Sequence, residues 1–163
     1  KAYGLANLRI GYGIGSAPLM KILKKVLLPY TVNGVSILTA ELLYSKPDVL
    51  RERVNAVLSG RKYLREHLEA LGFRVLPSAT NFLLALPAGK ALERLAVKAK
   101  ADSLPSAEKA MAAGGYLFRE LLARKILVRN YSGNPRLPGG LRITVGTAEE
   151  NPLIIGAVKD IIQ

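Results

Sequence analysis

The stretch that decides the fold is residues 48–86, DVLRERVNAVLSGRKYLREHLEALGFRVLPSATNFLLAL. In its first part, Leu50, Val54, Val57, Leu58, Leu64, Leu68 and Leu71 recur at helical spacing, and Arg and Glu fill the other side. Apolar residues three and four apart form one face of a helix, and that face must be buried. A helix is therefore expected over 49–71, with Asp48 as its N-cap and Gly72 just past its end. Gly60 lies inside it and costs about 1 kcal/mol relative to Ala, which leaves room for a bend there. Residues 73–76 and 81–86 are short apolar runs divided by Pro77-Ser78-Ala79-Thr80, and they read as two strands.

Downstream, residues 89–113 are rich in Ala and Lys, with Pro105 inside and Gly114-Gly115 just beyond. This stretch reads as a surface insertion, partly helical, punctuated by those residues. An amphipathic helix is expected over 116–125, a strand over 126–131, a Gly/Asn/Pro loop over 132–140 and a strand over 141–145. Thr147 with Glu150 three residues later is a capping-box pattern, opening a last helix that ends near Ile162. Upstream, residues 8–14 read as a short strand with glycines. Ser16 and Pro18 open a helix that runs to about Val26. A second helix is expected over 35–44, ended by Lys46-Pro47 because the residue before proline avoids the helical region.

The order after Asp48 is helix, strand, strand, helix, strand, strand, helix. That order makes an α/β chain whose later part is an α+β layer, a mostly antiparallel sheet with helices packed on it. Residues 1–45 read as the tail end of a different, larger unit, and residues 46–163 as a smaller domain.

Composition narrows the function. Half of the 163 residues are hydrophobic, enough to build a core. Residues 34–44 form an apolar run too short to cross a bilayer, and it carries Glu41, so no membrane partner is expected. The chain opens on Lys-Ala-Tyr-Gly without an initiator Met or a signal-peptide pattern, and reads as a piece of a longer polypeptide. With no cysteine there is neither a disulfide framework nor a thiolate metal site. The single histidine, His67, argues against a His-ligated metal centre or a Ser-His-Asp triad. Sitting among Arg65, Glu66 and Glu69, it reads as a surface residue. No metal is expected.

The formal charge of +12 suits nucleic acid, an acidic surface or a phosphorylated ligand. The bases are spread through Lys21, Lys24, Lys25, Arg51, Arg53, Arg61, Lys62, Lys90, Lys98 and Lys100, often beside Glu. There is no dense basic tail and no aromatic stacking platform, so these read as solvated helix faces and no nucleic-acid partner is expected.

Three groups stand out chemically. Lys1 and Arg9 lie eight residues apart in a small-residue setting. Arg129 and Arg142 each fall on or beside an expected strand. A charge in a half-buried strand is costly unless it is paired or binds a ligand. Two such arginines near one another suit an anion, because the guanidinium fork matches carboxylate and phosphate. The alternative is that each is a sheet-edge charge or is salt-bridged to a nearby Glu, and spacing alone leaves both open. Gly11, Gly13 and Gly15 miss the dinucleotide-loop spacing and lack the Gly-Lys-Ser/Thr of a P-loop, so tight packing explains them better.

The run Lys1-Ala-Tyr-Gly-Leu-Ala-Asn-Leu-Arg9-Ile-Gly-Tyr resembles the lysine motif of class I/II aminotransferases of fold type I. The resemblance continues through Pro29-Tyr30-Thr31-Val32-Asn33, Arg61 with Leu64, Gly72-Phe73-Arg74-Val75, Pro77-Ser78-Ala79-Thr80-Asn81-Phe82-Leu83, Ile126-Leu127-Val128-Arg129 and Leu141-Arg142-Ile143-Thr144-Val145-Gly146-Thr147 with Glu150-Asn151. These match the histidinol-phosphate aminotransferase branch in order and cover nearly the whole chain outside residues 89–113. Two departures are Asn7, where the family usually has Gly, and the length of the 89–113 segment.

The resemblance implies the C-terminal portion of a transferase dependent on pyridoxal 5'-phosphate. Residues 1–45 would end its large cofactor-binding domain, and 46–163 would be its small domain, with 89–113 inserted. Lys1 would be the catalytic lysine, joined to the cofactor as a Schiff base and later shuttling a proton. Arg9 would bind the cofactor phosphate. Arg142 would hold the α-carboxylate of glutamate or 2-oxoglutarate and also the phosphate of histidinol phosphate, with Arg129 assisting at that phosphate. The partner of the pyridine nitrogen, the ring-stacking aromatic and most of the phosphate-binding loop would lie upstream. The parent would be a cytoplasmic homodimer of histidine biosynthesis, and this piece alone would be inactive. The rival readings are an aromatic-amino-acid aminotransferase, a threonine-phosphate decarboxylase, and a non-catalytic domain that binds anions or nucleic acid.

Overall fold

The computed structural model describes residues 2–163, and the chain forms two compact units, 1–55 and 56–163. In the first unit a 3-10 turn, Ala6–Leu8, is followed by α1 (Ala17–Val26), α2 (Gly34–Tyr44) and the start of α3 (Pro47–Ala70). Both early helices lie where the sequence places them. Pro18 sits in the first turn of α1, and the Asn33 side chain caps α2 by accepting from Ser36 N at 2.9 Å.

Two expectations in this unit fail. Residues 8–14 are not a strand. Arg9 turns the chain in the left-handed conformation (φ 53°), and residues 10–16 run on without regular structure, because no other described segment offers them a ladder. Asp48 does not cap α3: Pro47 already begins the helix, and the Asp48 carboxylate accepts from Arg51 Nη1 at 2.9 Å within its first turn. The unit buries no hydrophobic side chain among its described residues. Ser36 alone is fully buried, its Oγ donating to the Leu8 carbonyl at 2.8 Å.

The second unit holds the core. Four antiparallel strands, β1 (Phe73–Val75), β2 (Phe82–Pro87), β3 (Arg129–Tyr131) and β4 (Gly140–Thr144), lie in the order β1-β2-β4-β3. Leu83 pairs with Ile143, and Ala85 with Leu141. All four are buried, and they share one core cluster with Leu64 and Leu68 of α3, Leu95 of α4 (Gly89–Lys98), Leu117 and Leu121 of α5 (Ser106–Ala123), and Val158 of α6 (Glu150–Ile162). The intervening residues Phe82, Leu84 and Arg142 are half-buried on the opposite face, as period-two alternation requires. The result is the helix-on-antiparallel-sheet layer expected from the sequence.

The stretch 89–113 is not a surface appendage. It folds as α4 and the first part of α5, and Ala91, Leu95, Ala96, Ala101, Ala110 and Ala113 are all buried. Gly114 is no break either. It lies inside α5 where the backbone of Gly139 crosses so closely that a Cβ would strike it. Gly60 likewise marks close packing, since a Cβ there would meet Val145 and Asn151 at 2.7 Å, and α3 runs unbroken through it. The expected strand over 126–131 forms only from Arg129, because Ile126 N is still bonded to the Leu121 carbonyl at the end of α5. The capping box is realised in both directions: Thr147 N donates to Glu150 Oε2 at 2.8 Å, and Glu150 N donates to Thr147 Oγ1 at 3.2 Å.

Candidate functional site

The register of the sheet brings the two strand arginines together. Arg129 of β3 is the direct cross-strand partner of Arg142 of β4, and Leu84 of β2 flanks Arg142 on its other side. Directly opposed residues hold their Cβ atoms about 4.5–5.5 Å apart, where like charges repel. Among the described residues no carboxylate lies within ion-pair distance of either arginine. The ion pairs among the described residues are Arg51–Asp48, Lys62–Glu66 and Arg124–Glu120, all along helices. Arg142 is half-buried and Arg129 exposed. The Arg142 Nε is buried without a hydrogen-bond partner, and its Cζ lies 4.9 Å from the centre of the Phe82 ring. Two adjacent guanidiniums on the open face of a sheet, free of carboxylates, can take an anion with two or three oxygens.

Phe82 was not singled out from the sequence. Its diagonal relation to Arg142 exists only once Phe82 is paired with Thr144 and Leu84 with Arg142. The Pro77–Thr80 segment, expected as the break between two strands, also fixes the backbone at Phe82: Ser78 Oγ and Thr80 Oγ1 both donate to the Phe82 carbonyl, at 2.7 and 3.2 Å.

Arg9 belongs to the first unit. Its Nη1 donates to the Ala6 carbonyl at 3.3 Å, and it has no carboxylate partner among the described residues. It lines an open cleft of about 790 Å³ with Tyr3, Tyr12, Tyr44 and Glu41, to none of which the sequence alone gives a role at a site. An exposed guanidinium beside a roomy cleft with three tyrosines in its lining offers the charge and the aromatic surface that a phosphorylated aromatic ligand would need. Lys1 lies outside the described residues. His67 is on the exposed side of α3, its Nδ1 2.8 Å from the Tyr63 carbonyl and its ring 3.9 Å from that of Tyr63, in keeping with a surface role. No cluster of three or more potential metal ligands occurs among the described residues.

The family model for aminotransferase class I and II matches residues 1–158. The chain belongs to that family. It is 38% identical over 164 residues to a histidinol-phosphate aminotransferase of Thermoanaerobacter sp. (strain X514), covering 99% of this chain and 39% of that protein. It is 36% identical over 160 residues to an aromatic amino acid aminotransferase of Nocardia farcinica (strain IFM 10152), covering 98% of this chain and 37% of that one. The fold matches that of the histidinol-phosphate aminotransferase from Sinorhizobium meliloti, solved in complex with pyridoxal-5'-phosphate. The TM-score is 0.74 at 22% identity, over 99% of this chain and 39% of the other. This aminotransferase chain therefore spans roughly two fifths of the length of the relatives it matches.

Proposed function

We propose that the chain is the C-terminal part of an aminotransferase dependent on pyridoxal 5'-phosphate that exchanges an amino group between histidinol phosphate and 2-oxoglutarate. The observation that carries this reading is the opposed pair Arg129–Arg142, two unneutralised cations on one open sheet face. A phosphate dianion suits two guanidiniums better than a lone carboxylate does. In this reading residues 1–45 end the large cofactor domain and 46–163 form the small domain. The full protein is a cytoplasmic homodimer serving histidine biosynthesis.

When bound, the cofactor supplies an electron sink for the carbanion at the substrate Cα. The chain's own residues do the rest. Arg9 clamps the cofactor phosphate. Lys1 anchors the cofactor, and its amine, once released, carries the proton removed from the substrate Cα. Arg142 holds the α-carboxylate of glutamate or 2-oxoglutarate and shares the phosphate of histidinol phosphate with Arg129. One pair of cations thus serves both half-reactions.

The 36% identity to an aromatic amino acid aminotransferase favours a second reading, in which the substrate brings a single carboxylate and Arg129 is spare. Comparing kcat/KM of the full-length enzyme for histidinol phosphate with that for phenylalanine or tyrosine separates the two. A preference for the aromatic amino acid would reject the first.

A further inference from the structure

Something other than a hydrogen bond holds the Arg142 guanidinium. Its Nε is buried and meets no acceptor, and no carboxylate pairs with it among the described residues. Its direct cross-strand neighbours are Leu84, which is apolar, and Arg129, which repels it. What lies against it is the Phe82 ring, 4.9 Å from Cζ, on the diagonal of the β2–β4 ladder. A cation over an aromatic face is attracted by the ring's quadrupole, more strongly where water is partly excluded.

The ring is itself fixed from behind. The hydroxyls of Ser78 and Thr80 donate to the Phe82 carbonyl at 2.7 and 3.2 Å, and Phe82 N donates back to Thr80 Oγ1 at 3.3 Å. Arg61 Nη1 in turn donates to the Thr80 carbonyl at 2.8 Å. Three residues thus tie down the backbone at the start of β2, where the ring is carried.

We propose that Phe82 is a positioning residue for anion binding: its ring holds the Arg142 guanidinium on the open face of the sheet, so that the cation meets its ligand already oriented. The inference rests on the reading of Arg142 as a substrate arginine. A long, flexible side chain that must be ordered during binding weakens affinity, and a support that orders it beforehand restores that loss. In this role Phe82 acts through Arg142 rather than on the substrate itself.

The test uses the full-length enzyme with Phe82→Leu, Phe82→Tyr, Arg142→Ala and the double variant Phe82→Leu/Arg142→Ala. KM and kcat for histidinol phosphate, the calorimetric Kd for inorganic phosphate, and Tm are measured. Phe82→Leu keeps apolar bulk and removes the π face. It should raise KM and the phosphate Kd about two- to tenfold, with kcat changed by less than about twofold, the pattern of lost uniform binding. Phe82→Tyr keeps the face and should stay close to the parent. In the Arg142→Ala background, Phe82→Leu should add nothing, because the partner is gone. The proposal is overturned if Phe82→Tyr is as impaired as Phe82→Leu, if the Phe82→Leu loss is undiminished without Arg142, or if only Tm changes. Should Arg142→Ala weaken phosphate binding while Phe82→Leu leaves it unchanged, the role of Phe82 fails and the anion site stands. Should Arg142→Ala leave phosphate binding intact, both fall together.

Discussion

Arg129 and Arg142 face each other across β3 and β4 as direct partners of an antiparallel pair. Folding alone gives no reason to choose this arrangement, since like charges directly opposite each other destabilise a sheet, where opposite charges would contribute roughly 0.2–1 kcal/mol. A bound anion reverses the sign of the pair's effect. The arrangement is therefore expected to trade stability for binding. Arg129→Gln, which removes the charge and keeps a polar, though shorter, side chain, should leave the Tm of the ligand-free enzyme unchanged or raise it slightly, while phosphate affinity falls. A clear drop in Tm with intact phosphate binding would make Arg129 a structural brace instead.

A second expectation concerns neighbouring glycines of α5 with opposite fates. Replacing a helical Gly by Ala ordinarily gains about 1 kcal/mol. At Gly115 the new Cβ would meet Ser132 Oγ at 3.6 Å, an ordinary contact, so Gly115→Ala should show some of that gain. At Gly114 it would strike the backbone of Gly139, which cannot yield as a side-chain tip does. Overpacking of this kind costs about 1–3 kcal/mol, so Gly114→Ala should be net destabilising. Chemical denaturation of both variants checks this. Equal behaviour would mean that α5 and the 132–140 loop are not so closely packed.

The contrast shows what the sequence could and could not disclose. The helix at Gly34–Tyr44 was legible from its apolar run and the proline that stops it, the helix at Pro47–Ala70 from its periodicity, and the reciprocal Thr147–Glu150 cap from its spacing, because each signal acts within a short stretch of chain. Gly114 looked like punctuation because the reason for it, Gly139, is distant in sequence. The segment carrying Ala91, Leu95 and Ala96 looked like a surface addition because small, Lys-flanked alanines give a faint helical stripe, and its burial depends on the sheet it covers. A strand over 8–14 was wrongly expected because glycine-spaced apolar residues specify a strand only when a ladder is available. The two strand arginines could be picked out one at a time. Their opposition depends on the register set by the 132–140 loop, where a slip of one residue would send one of them to the other face. Phe82 was invisible as a site residue for the same reason.

For Lys1, proposed to anchor the cofactor, the expected outcome is covalent. Borohydride reduction of the full-length enzyme with pyridoxal 5'-phosphate, followed by peptide mapping, should place the pyridoxyl group on Lys1. Lys1→Ala should abolish nearly all transamination. A label on another lysine would refute the assignment.

The chain 1–163 by itself should show no turnover of histidinol phosphate with 2-oxoglutarate. Arg9 and its cleft are present, but in the proposed reading the groups that grip the cofactor ring belong to an upstream part of the protein. The isolated chain should also bind a hydrophobic dye or self-associate. Ile14, Val26, Leu28 and Tyr30 are 92%, 74%, 75% and 100% exposed, and apolar surface of that kind marks an interaction surface or an aggregation hazard. Measurable turnover by the purified chain would mean that the site is complete within it.

The sharpest test of substrate class comes from truncating the two arginines separately. A charge-assisted hydrogen bond contributes about 1.5–3 kcal/mol, so losing one guanidinium should cost on the order of ten- to a hundredfold in kcat/KM for a ligand that uses it. Arg142→Ala should impair both histidinol phosphate and glutamate, because each presents an anion to it. Arg129→Ala should impair histidinol phosphate more than glutamate, because its assigned partner is the phosphate. Unphosphorylated histidinol should be a poor substrate whose residual rate is nearly indifferent to Arg129→Ala. Arg142 is half-buried and leans on Phe82, so its removal also carries a packing cost, and Tm must be followed alongside. Arg129 is exposed and carries no such confound. Its discrimination ratio, kcat/KM for histidinol phosphate over that for glutamate, is therefore the decisive number. A ratio that drops about tenfold on Arg129→Ala supports the two-cation phosphate site. Equal proportional losses for both substrates reject it and favour the aromatic amino acid reading, in which Arg129 is spare.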